Sequence, residues 1–411
     1  MAISQKEEYT ISVQNTTPLL IGWYDPTLPD PLGVRASEIK GLWHWWARAF
    51  IAGALYDLGL LQGRGTGDIV LKPTQEEAEL IACIVGRVLG LGYAGEEAEA
   101  SRFTIYTEYL EKPSAKLYRD ELQRIRLLTL GRRKVYGYPP RHIFKIAIKK
   151  RLRKYDYAET TALKILVAAL QLSGVGKGGR RGLGSLDMKQ LGIVREKELR
   201  DFIESIYVSC TEISNKVVEG QIRECENIVH RFKKFRASRA SLPVQFDEAP
   251  PPLPCVSKKN LGNIPVTQIF IAKNIKFPVI HNFFVRSERC RVLTGSSKCD
   301  DMLRKSVNAW ILGLPRRQSN TGYVIKSKEI SRRASPIIVS NHERFNVFGE
   351  GVYVSILLSA DWPKKLEWFS TETSKIIEID LNRLYNAYST ALNVLMDYLK
   401  KVNANIVQVW P

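Results

Sequence analysis

The chain is 411 residues long and carries 61 Lys and Arg residues against 42 Asp and Glu residues, a formal net charge of +19. This length is sufficient for two ordinary domains, each with its own hydrophobic core. The positive excess indicates an anionic partner, with a nucleic acid first and an anionic membrane surface second. Because no apolar run approaches about 18 residues and the first residues lack a signal-peptide pattern, we expect a soluble, cytoplasmic protein.

The first 190 residues predict the order strand, helix, strand, strand, helix, strand. In chain order these are a strand at residues 9–14, a helix at 38–58, strands at 102–110 and 142–150, a helix at 158–173 and a strand within 183–188. Ser37 is the expected N-cap of the first helix. This order is that of a βαββαβ, ferredoxin-like unit, which is also the frame of the RNA-recognition fold.

The same order of elements recurs after a connector. The connector is helical by pattern at residues 195–235, with the basic cluster "HRFKKFRASR" at 230–239, and continues into a Pro-rich linker at 242–260. Beyond it we expect a strand at 277–288, a helix at 296–312, strands at 334–340 and 351–359, a helix at 381–401 and a strand at 405–410. The predicted fold class is therefore α+β, with tandem ferredoxin-like domains at 1–190 and 257–411 joined by residues 191–256.

The most specific local motif is the glycine-rich stretch "GVGKGGRRGLG" at residues 174–184, which contains Lys177, Arg180 and Arg181. Glycines let backbone N–H groups approach an anion, and arginine binds phosphate through two parallel hydrogen bonds. We expect this loop to clamp a sugar–phosphate backbone; the alternative is a flexible, solvated loop. The stretch lacks the G-K-[ST] ending of a P-loop.

Further arginine pairs lie in other predicted loops. Arg316 and Arg317 belong to "GLPRRQSNTG", Arg332 and Arg333 belong to "SRRASP", and another pair lies within residues 130–142. Each pair alone is typical of a solvated turn. Together they favour contacts with RNA, since arginine both pairs with phosphates and stacks on bases.

The first predicted helix combines tryptophans with a cationic face. Lys40, His44 and Arg48 follow one another at i, i+4 and i+8, so they share one face of the helix. We expect the tryptophans, Trp43, Trp45 and Trp46, to pack the helix onto its sheet. The basic face would then line an RNA groove beside the glycine loop; the alternative is an amphipathic helix whose charges are simply solvated.

Catalytic, metal and cofactor motifs are absent from the sequence. The candidates His44, His142 and His281 have no partner at a motif spacing, and Asp25, Asp30 and Asp187 are expected to be exposed loop acids. The cysteines contain no C-x-x-C pair, so we expect reduced thiols, no structural zinc, and no cofactor. They are Cys83, Cys210, Cys225, Cys255, Cys290 and Cys299.

Three motifs together resemble the RAMP superfamily of CRISPR RNA-guided effector proteins. They are "TTPLLIG…RASEIKGLWHWWARAF", "GVGKGGRRGLGSL" and "GLPRR…RRASPI", in this order. The helix motif is matched by Arg35, Ser37, Lys40, Gly41, Trp45 or Trp46, and Arg48, while His44 stands where an arginine is commoner. The loop motif is matched by Arg180, Arg181, Gly182, Gly184 and Ser185, while Lys177 and Gly179 depart from it.

Within the superfamily, the tryptophan helix and the late "RRASP" are most similar to the large two-domain subunit near the head end of the type III-B Cmr complex. The resemblance implies tandem RRM-like domains that bind guide RNA and target RNA near the 3′ end of the guide, other Cmr subunits as partners, and no catalytic duty. One alternative is a metal-independent endoribonuclease of the superfamily, with His44 or His142 as the base. A second is an rRNA-associated binding module, which explains the charge but not the three motifs.

Overall fold

The computed structural model describes residues 8–22, 28–109, 114–118, 122, 125, 134–189, 192, 194–239, 249–285, 302–318 and 320–411. The protein is a mixed α/β molecule with several antiparallel sheets. Its helices are α1 (Ala36–Asp57), α2 (Gln75–Cys83), α3 (Asp156–Leu172), α4 (Leu199–Val218), α5 (Glu226–Arg239), α6 (Phe277–Val285), α7 (Met302–Lys305) and α8 (Leu381–Lys401). A π-helical turn (Ile84–Val88) follows α2, and 3-10 turns lie at Arg223–Cys225 and Ala309–Leu312. Across the described parts of the chain, none of the helices has the length and hydropathy needed to cross a bilayer.

The strands of the described residues form three four-stranded sheets and two short pairs. They are β1 (Glu8–Asn15), β2 (Phe103–Tyr109), β3 (Lys116–Tyr118), β4 (Val135–Gly137), β5 (Ile143–Lys150), β6 (Leu186–Met188), β7 (Asn260–Leu261), β8 (Ile264–Pro265), β9 (Thr267–Lys273), β10 (Arg316–Gln318), β11 (Thr321–Ile325), β12 (Ile337–His342), β13 (Gly351–Leu357), β14 (Lys365–Phe369), β15 (Ser374–Glu378) and β16 (Asn405–Trp410). The four-stranded sheets have the orders β2-β5-β1-β6, β12-β13-β9-β16 and β10-β11-β14-β15.

The first sheet contains the elements predicted for the N-terminal half. β1, α1, β2, β5, α3 and β6 follow one another in the predicted order, with α2, β3 and β4 inserted. In the sheet, Val13 of β1 lies opposite Phe144 of β5 and Met188 of β6. The N-cap prediction is wrong, because Ser37 already lies within α1, and Arg35 is the extended residue before it, with no side-chain cap.

The first elements of the C-terminal half differ from the prediction. The stretch predicted as a strand at 277–288 is helical in its described part, α6, and the strand is the preceding β9. The buried residues Phe277, Ile280 and Phe283 recur every three positions, a helical spacing that a short apolar run conceals. The helix predicted at 296–312 is divided, in its described part, into α7 and a 3-10 turn, and residues 296–301 lie outside the described residues.

Helix α3 lies in the middle of the molecule. It contacts α1 and α4, strand β6 of the first sheet, and strands β12 and β13 of the second sheet. From Ala158 to Val175 nearly every residue is buried. A helix that is apolar on all sides needs neighbours on all sides, so the two halves of the chain share one hydrophobic core around it.

The expected Pro-rich linker is a packed segment where the structure describes it. The backbone N–H of Val256 donates to the Ala49 carbonyl of α1 (2.9 Å), and the Pro251 carbonyl accepts from Ala360 (2.8 Å). A Cβ on Gly53 of α1 would lie 1.7 Å from the Val256 carbonyl oxygen, so only glycine permits this approach. Residues 240–248 of the predicted connector lie outside the described residues.

The expectation of reduced thiols is wrong for one cysteine pair. Cys83 at the end of α2 and Cys225 in the 3-10 turn before α5, which are 142 positions apart in the sequence, form a disulfide. Spacing patterns do not reveal a pair so far apart. Cys210 and Cys255 are buried free thiols, and burial raises the pKa of both. Cys290 and Cys299 lie outside the described residues.

A buried polar network joins the two halves beside the end of α3. The Nδ1 atom of His342 in β12 lies 2.9 Å from the Asp187 carboxylate in β6, and both side chains have no exposed surface. Its Nε2 atom lies 2.7 Å from the Gln171 carbonyl of α3 and 3.1 Å from the Ser340 hydroxyl. The second Asp187 oxygen accepts from the Glu343 backbone (3.0 Å). His342 is therefore a bridge between α3 and both sheets.

We predict that His342→Leu destabilises the protein by about 3 kcal/mol, because it leaves the Asp187 carboxylate buried without its partner. Urea denaturation of the variants measures this loss. Adding Asp187→Leu should cost less than the sum of the single changes, since the pair is coupled. The exposed neighbour Arg344 supplies the control, as Arg344→Leu should change stability by no more than about 0.5 kcal/mol. Equal stability of His342→Leu and wild type would contradict the proposed bridge.

Candidate nucleic-acid interface

The motifs that lie far apart in the sequence meet around the glycine loop, residues 174–184. The backbone N–H of Gly176 donates to the Glu38 carboxylate in the first turn of α1 (3.1 Å). The backbone N–H of Lys177 donates to the Leu20 carbonyl in the "TTPLLIG" segment (2.8 Å). The predicted proximity of this loop to the start of α1 is therefore confirmed. A carboxylate, that of Glu38, occupies the position where a phosphate was expected.

The glycine loop is folded back on itself. Gly174 donates to the Gly179 carbonyl (3.0 Å), and Val175 donates to the Gly184 carbonyl (2.9 Å). A Cβ at Gly174 would lie 2.0 Å from the Leu183 carbonyl oxygen, so this turn requires glycine. The alternative of a flexible, solvated loop is therefore wrong: the glycines serve close packing.

Arg180 is half-buried between the two halves of the molecule. Its guanidinium carbon lies 4.4 Å from the centre of the Trp45 ring, and its Nη1 atom donates to the Ser335 carbonyl (3.3 Å). Its own carbonyl accepts from the Val339 backbone in β12 (3.2 Å). Burial, together with the nearby Arg333 charge, lowers the pKa of Arg180 to about 10. The side chain thus remains charged at neutral pH and attaches the loop to the C-terminal half.

Arg181 makes a parallel set of contacts. Its guanidinium donates to the carbonyls of Leu312 (2.5 Å) and Ile337 (3.4 Å). The carbonyl of Arg181 accepts from Nδ1 of His281 in α6, at 2.8 Å. Hydrogen bonds from a charged donor to buried carbonyls are stronger than neutral ones. Arg181 therefore stabilises the junction between the loop and the C-terminal half.

Arg333 is the third predicted RNA contact that the structure directs inward. Its guanidinium donates to the Asp361 carboxylate (2.8 Å), to the Ser359 hydroxyl (2.6 Å) and to the carbonyls of Ala334 (2.6 Å) and Asp361 (3.2 Å). It also lies 4.8 Å from the centre of the Trp362 ring. Only 6% of the side chain is exposed. This arginine therefore stabilises the fold, and little of its guanidinium group is accessible to a phosphate.

These inward arginines correct the sequence-based picture of one phosphate-gripping loop. Arginine pairs flanked by glycines are typical of anion sites, but the same planar donor group also binds buried carbonyls. The sequence identifies the arginine that donates the hydrogen bonds but does not identify the groups that accept them. For Arg180 and Arg181 the acceptors belong to residues more than a hundred positions away, such as Leu312 and Ser335.

The cationic face of α1 is open to solvent. Lys40 and Arg48 are exposed, and His44 is half-buried between them. Burial lowers the pKa of His44, the charges of Arg48 and Lys40 lower it further, and a hydrogen bond to the Leu91 backbone opposes this. The imidazole is therefore neutral at pH 7, and Lys40 and Arg48 supply the positive charge of this face.

The tryptophans of α1 lie away from its cationic face, as expected. Trp43 and Trp46 are fully buried, and their ring N–H groups donate to the Ala162 carbonyl (2.6 Å) and the Ser173 hydroxyl (2.9 Å) of the α3 region. Trp45 is half-buried beneath Arg180. Two tryptophans thus fix α1 on α3, and the third stacks on the glycine loop.

The remaining predicted contacts differ in accessibility. Arg35 forms ion pairs with Glu38 and Asp30, so its charge is balanced. Lys177 and Arg316 are half-buried, and burial lowers the pKa of Arg316. Arg317, which lies over the Phe369 ring at 5.4 Å, and Arg332 are exposed. Of the eleven predicted RNA contacts, four cations are thus open to solvent: Lys40, Arg48, Arg317 and Arg332.

Two predicted loop acids are buried instead of exposed. Asp30, of which 2% is exposed, accepts a hydrogen bond from the Leu32 backbone N–H (2.9 Å). Asp187 is buried in its pair with His342. Sequence reasoning missed this His–Asp pair because 155 positions separate its members.

His142 donates its backbone N–H to Asn15 (2.9 Å). Asp25 lies outside the described residues. No cluster of three or more metal-ligating side chains occurs within the described ranges.

We predict that Arg181→Ala lowers the free energy of unfolding by about 2 kcal/mol, because two buried carbonyls lose a charged donor. Chemical denaturation measures the effect. Arg332→Ala is the matched control: it removes an exposed arginine and should change stability by no more than about 0.5 kcal/mol. If both variants unfold like wild type, the loop arginines do not hold the two halves together.

The comparison with family models agrees with the first two motifs. Residues 13–187 match the family model described as the RAMP superfamily. No curated protein matches the sequence significantly. Similar solved structures include apo Cmr1 from Pyrococcus furiosus, with 16% identity over 98% of this chain and 99% of that chain at a TM-score of 0.45. Another is a chain of the type III-B Cmr-β complex bound to cognate target RNA, with 14% identity over 95% and 100% at a TM-score of 0.49. A third, Cmr6 from Pyrococcus furiosus, has 15% identity over 45% and 98% at a TM-score of 0.26.

Proposed function

We propose that this chain, whose residues 13–187 match the RAMP superfamily model, is a non-catalytic RNA-binding subunit of a type III-B CRISPR ribonucleoprotein effector. It would hold guide RNA, target RNA or both near the 3′ end of the guide, next to other effector subunits. The family match, the three motifs in order and the net charge of +19 support this proposal.

We also infer that the two main sheets belong to tandem ferredoxin-like domains. In each sheet the first strand along the chain lies between the third and the fourth, and the second strand lies at the edge beside the third. This is the order that a βαββαβ unit produces. The third sheet and the α4–α5 segment are additions to this frame.

The observation that carries the proposal is the row of exposed cations on α1. Lys40 and Arg48 lie on one face of a helix whose opposite face is fixed by buried tryptophans, so the charges are held on a rigid support. Among the described residues, neither has an acidic partner. Unbalanced cations on a rigid element suit a phosphate backbone, which is bound through charge with little regard to sequence.

We predict that the chain binds single-stranded RNA with a strong dependence on salt. For single strands, log K falls with log salt by about 0.7 per phosphate neutralised, so several contacts give a slope of roughly −3 or steeper. Lys40→Ala with Arg48→Ala should weaken binding about tenfold or more and make the slope shallower by about 1.4. Fluorescence anisotropy with labelled RNA at several salt concentrations measures both quantities.

The matched control removes one exposed lysine and one exposed arginine from the segment before α4, as Lys197→Ala with Arg195→Ala. It should leave the affinity for RNA and the salt slope nearly unchanged. A flat salt dependence of wild type, or a strong preference for one short RNA sequence, would overturn the proposed backbone binding.

We predict that the purified chain leaves RNA intact, with Mg²⁺ or with EDTA. The histidines first considered as bases, His44 and His142, have no carboxylate partner among the contacts of the described residues, and the His342–Asp187 pair is buried. Gel analysis of labelled target RNA after long incubation tests this. Cleavage that His44→Ala or His142→Ala abolishes would favour the endoribonuclease alternative, in which the neutral imidazole of His44 acts as the base.

A further inference from the structure

A second cationic surface lies on α5, at the basic cluster of the sequence. At 3.6 residues per turn, His230, Arg231, Lys233 and Lys234 fall within an arc of roughly 160°, and all four side chains are exposed. The opposite side of the helix is anchored in the core by Ile228, Val229 and Phe232. The basic face is therefore a fixed surface of the folded protein.

The charges on this face are only partly balanced. Arg231 pairs with Glu79 of α2 (2.8 Å). Lys233 and Lys234 have no acidic partner among the described residues. Lys234 lies three positions after Arg231, a spacing at which like charges on a helix repel each other, so leaving it without an acidic partner costs stability that a bound anion would restore.

The neighbouring 3-10 turn and the loop before α3 extend the positive surface. Glu224 of the turn is already engaged by Lys154 (3.0 Å) and by the Tyr155 hydroxyl, so it does not balance other cations. Arg223 beside it is exposed, as is Arg151 of the loop. The contacts of Glu224 place the 3-10 turn beside this loop, at the start of α3.

This surface is separate from the glycine loop. Glu224 contacts the residues just before α3, whereas the loop follows the last residue of the same helix. A helix of 17 residues is about 25 Å long, at 1.5 Å per residue. The two regions therefore lie at opposite ends of α3.

We propose that the exposed face of α5, with Arg223 and Arg151 beside it, is a second site for the phosphate backbone of RNA. The proposal rests on the proposed function, since the same RNA would extend from the α1 face to this end of the molecule. The lysines act as point charges and Arg223 supplies a planar donor group, so binding is independent of sequence. An acidic protein surface is the competing occupant that the experiment must distinguish.

The test is Lys233→Gln with Lys234→Gln, compared with Lys400→Gln with Lys401→Gln, an adjacent, exposed lysine pair on α8. Both variants remove two positive charges from a helix, and circular dichroism establishes that both are folded. With a labelled single-stranded RNA of about 40 nucleotides, the α5 variant should bind on the order of tenfold more weakly at 0.1 M salt. Its salt slope should be shallower than that of wild type by about 1.4, and the α8 variant should match wild type.

The outcomes separate this inference from the proposed function. If wild type binds RNA and the α5 variant binds equally well, the second site is overturned while the proposed function stands. If wild type fails to bind RNA at all, the proposed function falls and the second site falls with it. If the α5 variant keeps full RNA affinity but loses its association with other effector subunits, the surface takes an acidic protein instead.

Discussion

The fold depends on a helix, α3, that is apolar on nearly every side. Such a helix is stable in water only when other elements cover it completely. The chain achieves this by packing α1 and α4 against it from the N-terminal side and the second sheet against it from the C-terminal side. Residues of both halves therefore join one hydrophobic cluster around α3, and neither half could expose this helix without losing a large buried apolar surface.

The ends of α3 are where polar groups must be satisfied. At its start, Glu159 is fully buried and receives Arg102 (2.7 Å) and Lys150 (2.8 Å). Burial raises the pKa of this carboxyl, but the hydrogen bonds from Lys150 and Lys154 and the Arg102 charge outweigh it, so the pKa lies below its usual value. At its end, the Gln171 carbonyl meets His342. Because the middle of α3 is buried, polar groups at both of its ends are bound by partners within the protein.

The same constraint explains why the glycine loop is packed and not free. The chain leaves a buried helix end and must turn at once within the core, where side chains leave no room, and glycine permits that turn. Arg180 and Arg181 then meet carbonyls of the C-terminal half. Exposed positive charge remains on helix faces, at Lys40 and Arg48 of α1 and at Lys233 and Lys234 of α5, and in loops, for example at Arg332.

The sequence by itself determined the order of the elements in the first half, the tryptophan side of α1 and the excess of positive charge, because these follow from local periodicity and composition. It also carried three motifs that resemble those of the RAMP superfamily, and residues 13–187 match the family model. Only the tertiary structure decided which arginines are buried, that Asp187 pairs with His342, and that Cys83 bonds to Cys225. The acceptors of Arg181, the His342–Asp187 pair and the disulfide each join residues more than a hundred positions apart. The acceptors of Arg333 at Ser359 and Asp361 are nearer, at 26 and 28 positions. Local patterns contain no information about such contacts. The strand expected at 277–288 was wrong for a related reason. Nearly all residues of this short run are apolar, so the sequence does not show which of them are buried, and the contacts with the rest of the protein decide between a strand and a helix.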